Sequence, residues 1–208
     1  FAATAPAPAA AQHPWTEPGH LRMGVLRTLD NLNPLLSGQA GTTDVAQFVF
    51  SGLIRFDDRG EPIPDAATTV PTRENGGVSA DGKTITYHLR ADVRFSDGRA
   101  LTADDVVFTW EQVMNPRNNV PFHFPYDQAA SVTAKDPHTV VVRLRAPSAP
   151  FVSNFFRCGV QGAIVPKHLL DGKPDLNHDP YNTKPVGSGP YMFERYDCNT
   201  KIEMVPNP

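Results

Sequence analysis

Residues 95–110 read Phe95-Ser-Asp-Gly-Arg-Ala-Leu-Thr-Ala-Asp-Asp-Val-Val-Phe-Thr-Trp110. This stretch runs a turn, a helix cap and the start of a helix together without a gap. At the turn, Asp97 can bond its own backbone and Gly98 tolerates positive φ. Thr102 is the expected N-cap, and Asp105 three positions on makes a variant of the capping box. Asp104 and Asp105 set negative charge in the first turn, where the helix dipole favours it. Val106, Val107, Trp110, Val113 and Met114 form the expected buried stripe, with Trp110 a core residue, and Asn115-Pro116 stops the helix. The stretch therefore predicts an amphipathic helix that follows an extended segment.

Working outward, short elements and turns alternate. Leu21–Leu26 reads as a first strand, residues 29–35 as a loop, and Thr43–Leu53 as a helix with Val45, Phe48, Val49 and Leu53 near one face. Residues 52–60 read as a short strand and turn, and residues 61–67 as a stiff connector. Thr68–Glu74 and Thr84–Arg90 are expected strands, the second turned in at Ala80-Asp81-Gly82-Lys83. A further hairpin is expected from Ala130–Lys135 and His138–Arg145, turning at Asp136-Pro137. Phe151–Arg157 reads as a short helix, Ala163–Val165 as a strand, Lys167–Leu170 as a helical turn and residues 171–185 as loop. Tyr191–Tyr196 and Lys201–Val205 form a last hairpin. There is no repeat and no heptad pattern. The layout is mixed α/β with antiparallel hairpins rather than a series of βαβ units.

The chain has 208 residues, enough to bury a real core in one or two domains. Hydrophobic residues at 40% and charged residues at 20% describe a globular protein. No apolar run approaches the ~18 residues that a membrane span requires. A net charge of −3 argues against a nucleic-acid binder, which needs a basic face. The 21 prolines are roughly double the usual ~5% and punctuate the loops. Residues 1–20 are rich in Ala and Pro and lack the apolar h-region of an intact signal peptide. They read as a leader remnant, a spacer, or a tail of no consequence. No lipid-accepting Cys is present at the start, so this stretch does not say whether the protein carries a lipid anchor.

Beyond composition, the 95–110 stretch closely resembles the "F-S-D-G-x-x-L-T-A-D-D-V-x-F-T-W" signature of the family 5 extracellular solute-binding proteins, the ligand-capturing subunits of ABC importers. Other blocks resemble the same family in order. They are Leu29-Asp-Asn-Leu-Asn-Pro34, Gly52-Leu53 with Asp57 and Gly60, Pro64-Asp-Ala-Ala67, Ser79–Arg90, Ile164-Val-Pro166 and Pro185-Val-Gly-Ser-Gly-Pro-Tyr191. The resemblance implies a periplasmic-binding-protein-like fold of type II, of which this chain is the N-terminal lobe only. Residues 21–45 and 185–208 would then belong to the main sheet of that lobe, and 46–184 to an inserted subdomain. The second lobe would be absent, since members continue past "N-P-x-Y-W" where this chain reads Val205-Pro-Asn-Pro208.

In such receptors a ligand is trapped between lobes by hinge closure. Peptides bind extended, through main-chain hydrogen bonds and permissive pockets. Three stretches would supply a half-site. Asn31, Leu32 and Asn33 follow the first strand, where an Asx turn before Pro34 is the competing reading. Phe122, Phe124 and Tyr126 cluster outside any periodic element, as cleft wall or as packing over the signature helix. Arg157 and Gln161 precede the "i-v-P" strand, with Arg157 either meeting a carboxylate or standing solvated at the surface. Cys158 and Cys198 fit no metal or C-x-x-C spacing; in an exported protein they would form a disulfide or remain two buried thiols.

Gly187-Ser-Gly-Pro-Tyr191 matches neither the phosphate-loop pattern nor the nucleophile elbow. It reads as a tight crossover with Tyr191 packing inward. The seven histidines have no zinc spacing. No cofactor is expected, and no paired carboxylates or triad suggest an enzyme. The leading expectation is a periplasmic or extracellular peptide receptor working with ABC permease subunits, and touching the membrane only through them or through a lipid anchor. Alternatives are a receptor for nickel complexes, haem or another small solute, and a chaperone-like binder.

Overall fold

The computed structural model describes residues 20–24, 29–158, 162–197 and 200–208. Helix α1 (Ala40–Val49) leads into the two-stranded ribbon β1 (Ile54–Phe56) and β2 (Pro62–Pro64). Strand β3 (Thr84–His88), helix α2 (Ala103–Met114) and strands β4 (Ala129–Asp136) and β5 (Thr139–Leu144) follow. Two single-turn helices, α3 (Phe151–Asn154) and α4 (Lys167–Leu170), precede the hairpin of β6 (Tyr191–Asp197) and β7 (Lys201–Pro206). Among the described residues the sheets are β1–β2, β3–β5–β4 and β6–β7, with antiparallel strand pairs.

The three-stranded sheet and α2 enclose the core. Ile85, Tyr87, Val132, Val140 and Val142 lie buried on one face of the sheet, against Val106 and Val113 of α2. Tyr126, Phe151, Phe155 and Phe156 fill the end of this layer. Phe151 and Phe155 stack with centroids 4.6 Å apart, and Phe156 meets Phe155 edge-on at 4.7 Å. Such offset and edge contacts suit the aromatic quadrupole.

The opening stretch is a set of structural clasps. Gly98 takes φ +87°, as the turn requires. The Asp105 carboxylate reaches back to the Thr102 N–H (2.8 Å) and also accepts from the Lys167 N–H (2.9 Å), tying α2 to the start of α4. One turn on, the Thr109 hydroxyl donates to Asp105 O (2.7 Å) and accepts from the Val165 N–H (3.0 Å). Trp110, half-buried rather than fully interior, donates its indole N–H to Tyr126 O.

Several expectations need correction. Residues 68–74 are not a strand: the Asn75 side chain accepts from the Thr72 and Gly77 N–H groups and folds the segment into a turn. Residues 163–165 form no strand, because Ile164 N–H bonds Ser51 O and Val165 N–H bonds a side chain instead of a ladder. The first helix lies at 40–49, ending where Phe50 turns extended. The helix at Phe151 stops at Asn154. Residues 21–24 carry no regular structure, and the rest of the expected first strand, Val25 and Leu26, falls outside the described residues. Tyr191 points outward, 40% exposed, meeting Phe48 edge-on.

Candidate functional site

The loop at 29–39 is built from side chain-to-backbone bonds. Asn31 Oδ1 accepts from the Asn33 N–H (2.7 Å), and Asn33 Oδ1 accepts from the Leu35 N–H (3.1 Å). These are consecutive Asx turns. The Asn33 amide also donates to Asn182 Oδ1 (3.0 Å), while Asn182 donates to Leu176 O and accepts at its carbonyl from the Leu32 N–H. Leu32 and Asn33 are fully buried. The Leu32 N–H and the Asn33 side chain therefore hold this loop to the 176–182 segment, neither side chain faces solvent, and the Asx reading describes both asparagines.

That anchored loop delivers Gly38 and Gln39 to the N-terminus of α1. Ser37 supports the corner, its hydroxyl donating to Asp30 (2.8 Å) and accepting from the Gln39 N–H (3.2 Å). Gly38 lies against the aromatic loop: a Cβ there would sit 3.4 Å from Phe122 Cε2 and 3.7 Å from Pro121. Gln39 Oε1 is buried without a hydrogen-bond partner. Neither residue stood out in the sequence, where only the glycine next to a polar residue ahead of a helix hinted at a special corner.

The aromatic loop divides. Phe122 and Phe124 are 55% and 57% exposed, whereas Tyr126 is a core residue in edge contact with Phe156. Phe122 thus stands in water against the Gly38 corner, with Phe124 exposed two residues on. Tyr126 is unavailable to a ligand because it completes the aromatic layer.

Arg157 lies elsewhere, against β1. Its guanidinium stacks over the Phe56 ring at 4.6 Å, and its backbone bridges to Ile54. Phe156 just before it holds φ +49°, an uncommon conformation for a residue with a side chain. Cys158 carries a free thiol that donates to Phe50 O (3.4 Å) and whose pKa burial pushes up to about 12. Gln161 and Cys198 lie outside the described residues.

A charged groove of ≈520 Å³ opens between β1–β2 and the crossover at 188–190. In it Arg55 pairs with Asp65 (2.8 Å), and Arg90 with Asp92 (2.8 Å). Burial raises the Asp65 pKa, with Arg55 opposing it. The crossover itself needs glycine: a Cβ at Gly189 would fall 2.6 Å from the Val49 carbonyl carbon. Gly189 N–H bonds Val49 O, and the Ser51 hydroxyl bonds Ser188 O. Among the described residues there is no group of three or more His, Cys, Asp or Glu side chains placed to hold a metal, and no helix long and apolar enough to cross a membrane.

Comparison with known proteins agrees with this architecture. Protein XP55 of Streptomyces lividans is 36% identical over 187 residues, covering 89% of this chain and 32% of that protein. The structure of the oligopeptide-binding protein AppA of Bacillus subtilis, in complex with a nonapeptide, superposes with a TM-score of 0.77 at 27% identity, covering 86% of this chain and 34% of that one. NikZ of Campylobacter jejuni in complex with Ni(L-His) gives a TM-score of 0.74 at 31% identity, over 86% of this chain and 34% of that one. The chain thus spans about a third of the length of the relatives it matches, and its mixed α/β fold is that of the periplasmic binding proteins. Residues 61–208 match the family described as bacterial extracellular solute-binding proteins, family 5 Middle, and the chain belongs to that family.

Proposed function

We propose that this chain forms part of one lobe of a peptide receptor that delivers its cargo to the permease of an ABC importer, outside the cytoplasmic membrane. The observation that carries this reading is the pair of exposed rings in one loop, Phe122, which lies against Gly38 at the α1 corner, and Phe124. Rings at a loop tip stack on side chains of many kinds, and the missing Cβ at Gly38 lets the aromatic loop pack close against the α1 corner. The likeness to AppA, solved with a nonapeptide, supports the same reading. Residues 46–184 act in it as an inserted subdomain, residues 21–45 and 185–208 as parts of the main sheet, and a second lobe closes over the cleft. The protein binds and releases; it carries out no covalent chemistry. The test is calorimetry of the full secreted protein with peptides. Phe122→Ala with Phe124→Ala should weaken binding at least tenfold while the fold is kept, and unchanged affinity would remove these rings from the site.

A nickel-chelate receptor is the second reading, favoured by the likeness to NikZ. With no metal-holding cluster among the described residues, such a complex would meet this part of the protein through its organic chelator.

A further inference from the structure

We infer that the recess framed by Arg157, Arg55 and Gln47 is a binding site for a small oxyanion, a carboxylate or phosphate group. The recess holds ≈150 Å³ and is lined by Gln47, Arg55, Phe56, Arg157 and Cys158. That volume suits an anion of a few heavy atoms and excludes a peptide backbone. Two guanidinium groups face it. Arg55 uses one Nη on Asp65 (2.8 Å), which lies on the side of the charged groove, and keeps a buried Nε–H with no acceptor. Arg157 has no carboxylate partner among the described residues. Among the described residues, then, the Arg157 charge has no carboxylate counterpart and the Arg55 Nε–H has no acceptor. The Arg55 Nε–H is sealed from solvent, so the donors an anion can meet in the recess are those of Arg157, the free edge of Arg55 and Gln47.

The recess is also held ready. Stacking on Phe56 fixes the plane of the Arg157 guanidinium, so little side-chain freedom is lost when a ligand binds. The left-handed φ of Phe156 sets the direction in which the next residue leaves the backbone, and its carbonyl is clasped by the Leu53 N–H (2.8 Å). Gln47 adds an amide donor from the exposed side of α1. The Cys158 thiol is held protonated by burial, and the nearest carboxylate acting on it, that of Asp65, is paired with Arg55, so neither places a free negative charge in the recess. Planar guanidinium forks recognise carboxylate and phosphate alike.

The inference stands apart from the peptide reading, because a free inorganic anion tests it without any peptide. The full secreted protein is titrated with sodium phosphate and, separately, with sodium acetate, at constant ionic strength with chloride as the reference. Saturable 1:1 binding is expected, weakened at least tenfold by Arg157→Gln. Gln47→Glu, which places a negative charge on an exposed helix position and leaves the core alone, should weaken it several-fold. Circular dichroism verifies that both variants are folded. Preference for phosphate assigns the recess to a free anion. Preference for acetate, together with weaker binding of a C-terminally amidated peptide than of its free acid, assigns it to a ligand-borne carboxylate. Absence of saturable binding to either anion, or binding that survives either substitution, overturns the assignment.

Discussion

The two adjacent aspartates of the signature helix are expected to behave very differently when neutralised. Asp104 is exposed and contributes only charge near the helix N-terminus. Asp105 is 5% exposed, and its two carboxylate oxygens serve two backbone N–H groups, those of Thr102 and Lys167. Asp105→Asn keeps the shape but turns one acceptor into an NH₂ donor, which must face one of those N–H groups. One charge-assisted bond is lost and a backbone donor is left unpaired in a buried place, at a cost of about 2–4 kcal/mol. For a chain of this size that lowers the melting temperature by on the order of 5–15 °C. Asp104→Asn should cost no more than about 0.5 kcal/mol, the scale of an exposed dipole contact. Chemical denaturation followed by circular dichroism reads both variants. If the two substitutions have equal effects, or Asp105→Asn shifts the midpoint by less than about 0.5 kcal/mol, the view of this helix as a clasp is wrong.

Other outcomes follow from the same contacts. Tyr87→Phe should leave stability unchanged or raise it by up to about 1 kcal/mol, because the Tyr87 hydroxyl is buried with no hydrogen-bond partner; the denaturation midpoint measures it. Gly189→Ala should cost more than about 2 kcal/mol by the same assay, since its Cβ would meet the backbone of Val49 and Phe50 and neither can yield. The Cys158 pKa of about 12 lies above that of an unfolded thiol, so the native state disfavours the thiolate. Its alkylation by iodoacetamide should therefore be slow at pH 8 and rise steeply only toward pH 12. The stability linked to this group should be fully present below about pH 8.5 and fall as the pH rises toward 12.

Periodic elements were legible in the chain because their signals are local. Thr102, Asp105 and the alternation of Ile85 and Tyr87 encode α2 and β3 within a few residues, and the hairpin at 136–139 is equally self-contained. What could not be read depends on distant partners. Residues 68–74 carry strand-like residues, yet a single asparagine side chain at position 75 captures two of the nearby N–H groups. Residues 163–165 look like a strand but spend their donors on Ser51 and Thr109, far away in sequence. The same holds for the candidate site. Asn33 suggests a ligand contact until Asn182 claims its amide. Phe122, Phe124 and Tyr126 are chemically alike and alternate in a loop without periodicity, so only the aromatic layer of Phe155 and Phe156 decides which ring turns inward. Gly38 becomes notable only once Phe122 is seen against it.

Native mass spectrometry of the full-length protein, purified without refolding, separates a peptide receptor from a receptor for one small solute. A peptide receptor should show a ladder of bound masses that fragment into peptides of varied sequence, diminished when Phe122 and Phe124 are replaced by alanine. A single sharp adduct, a metal complex or another small molecule, would contradict it.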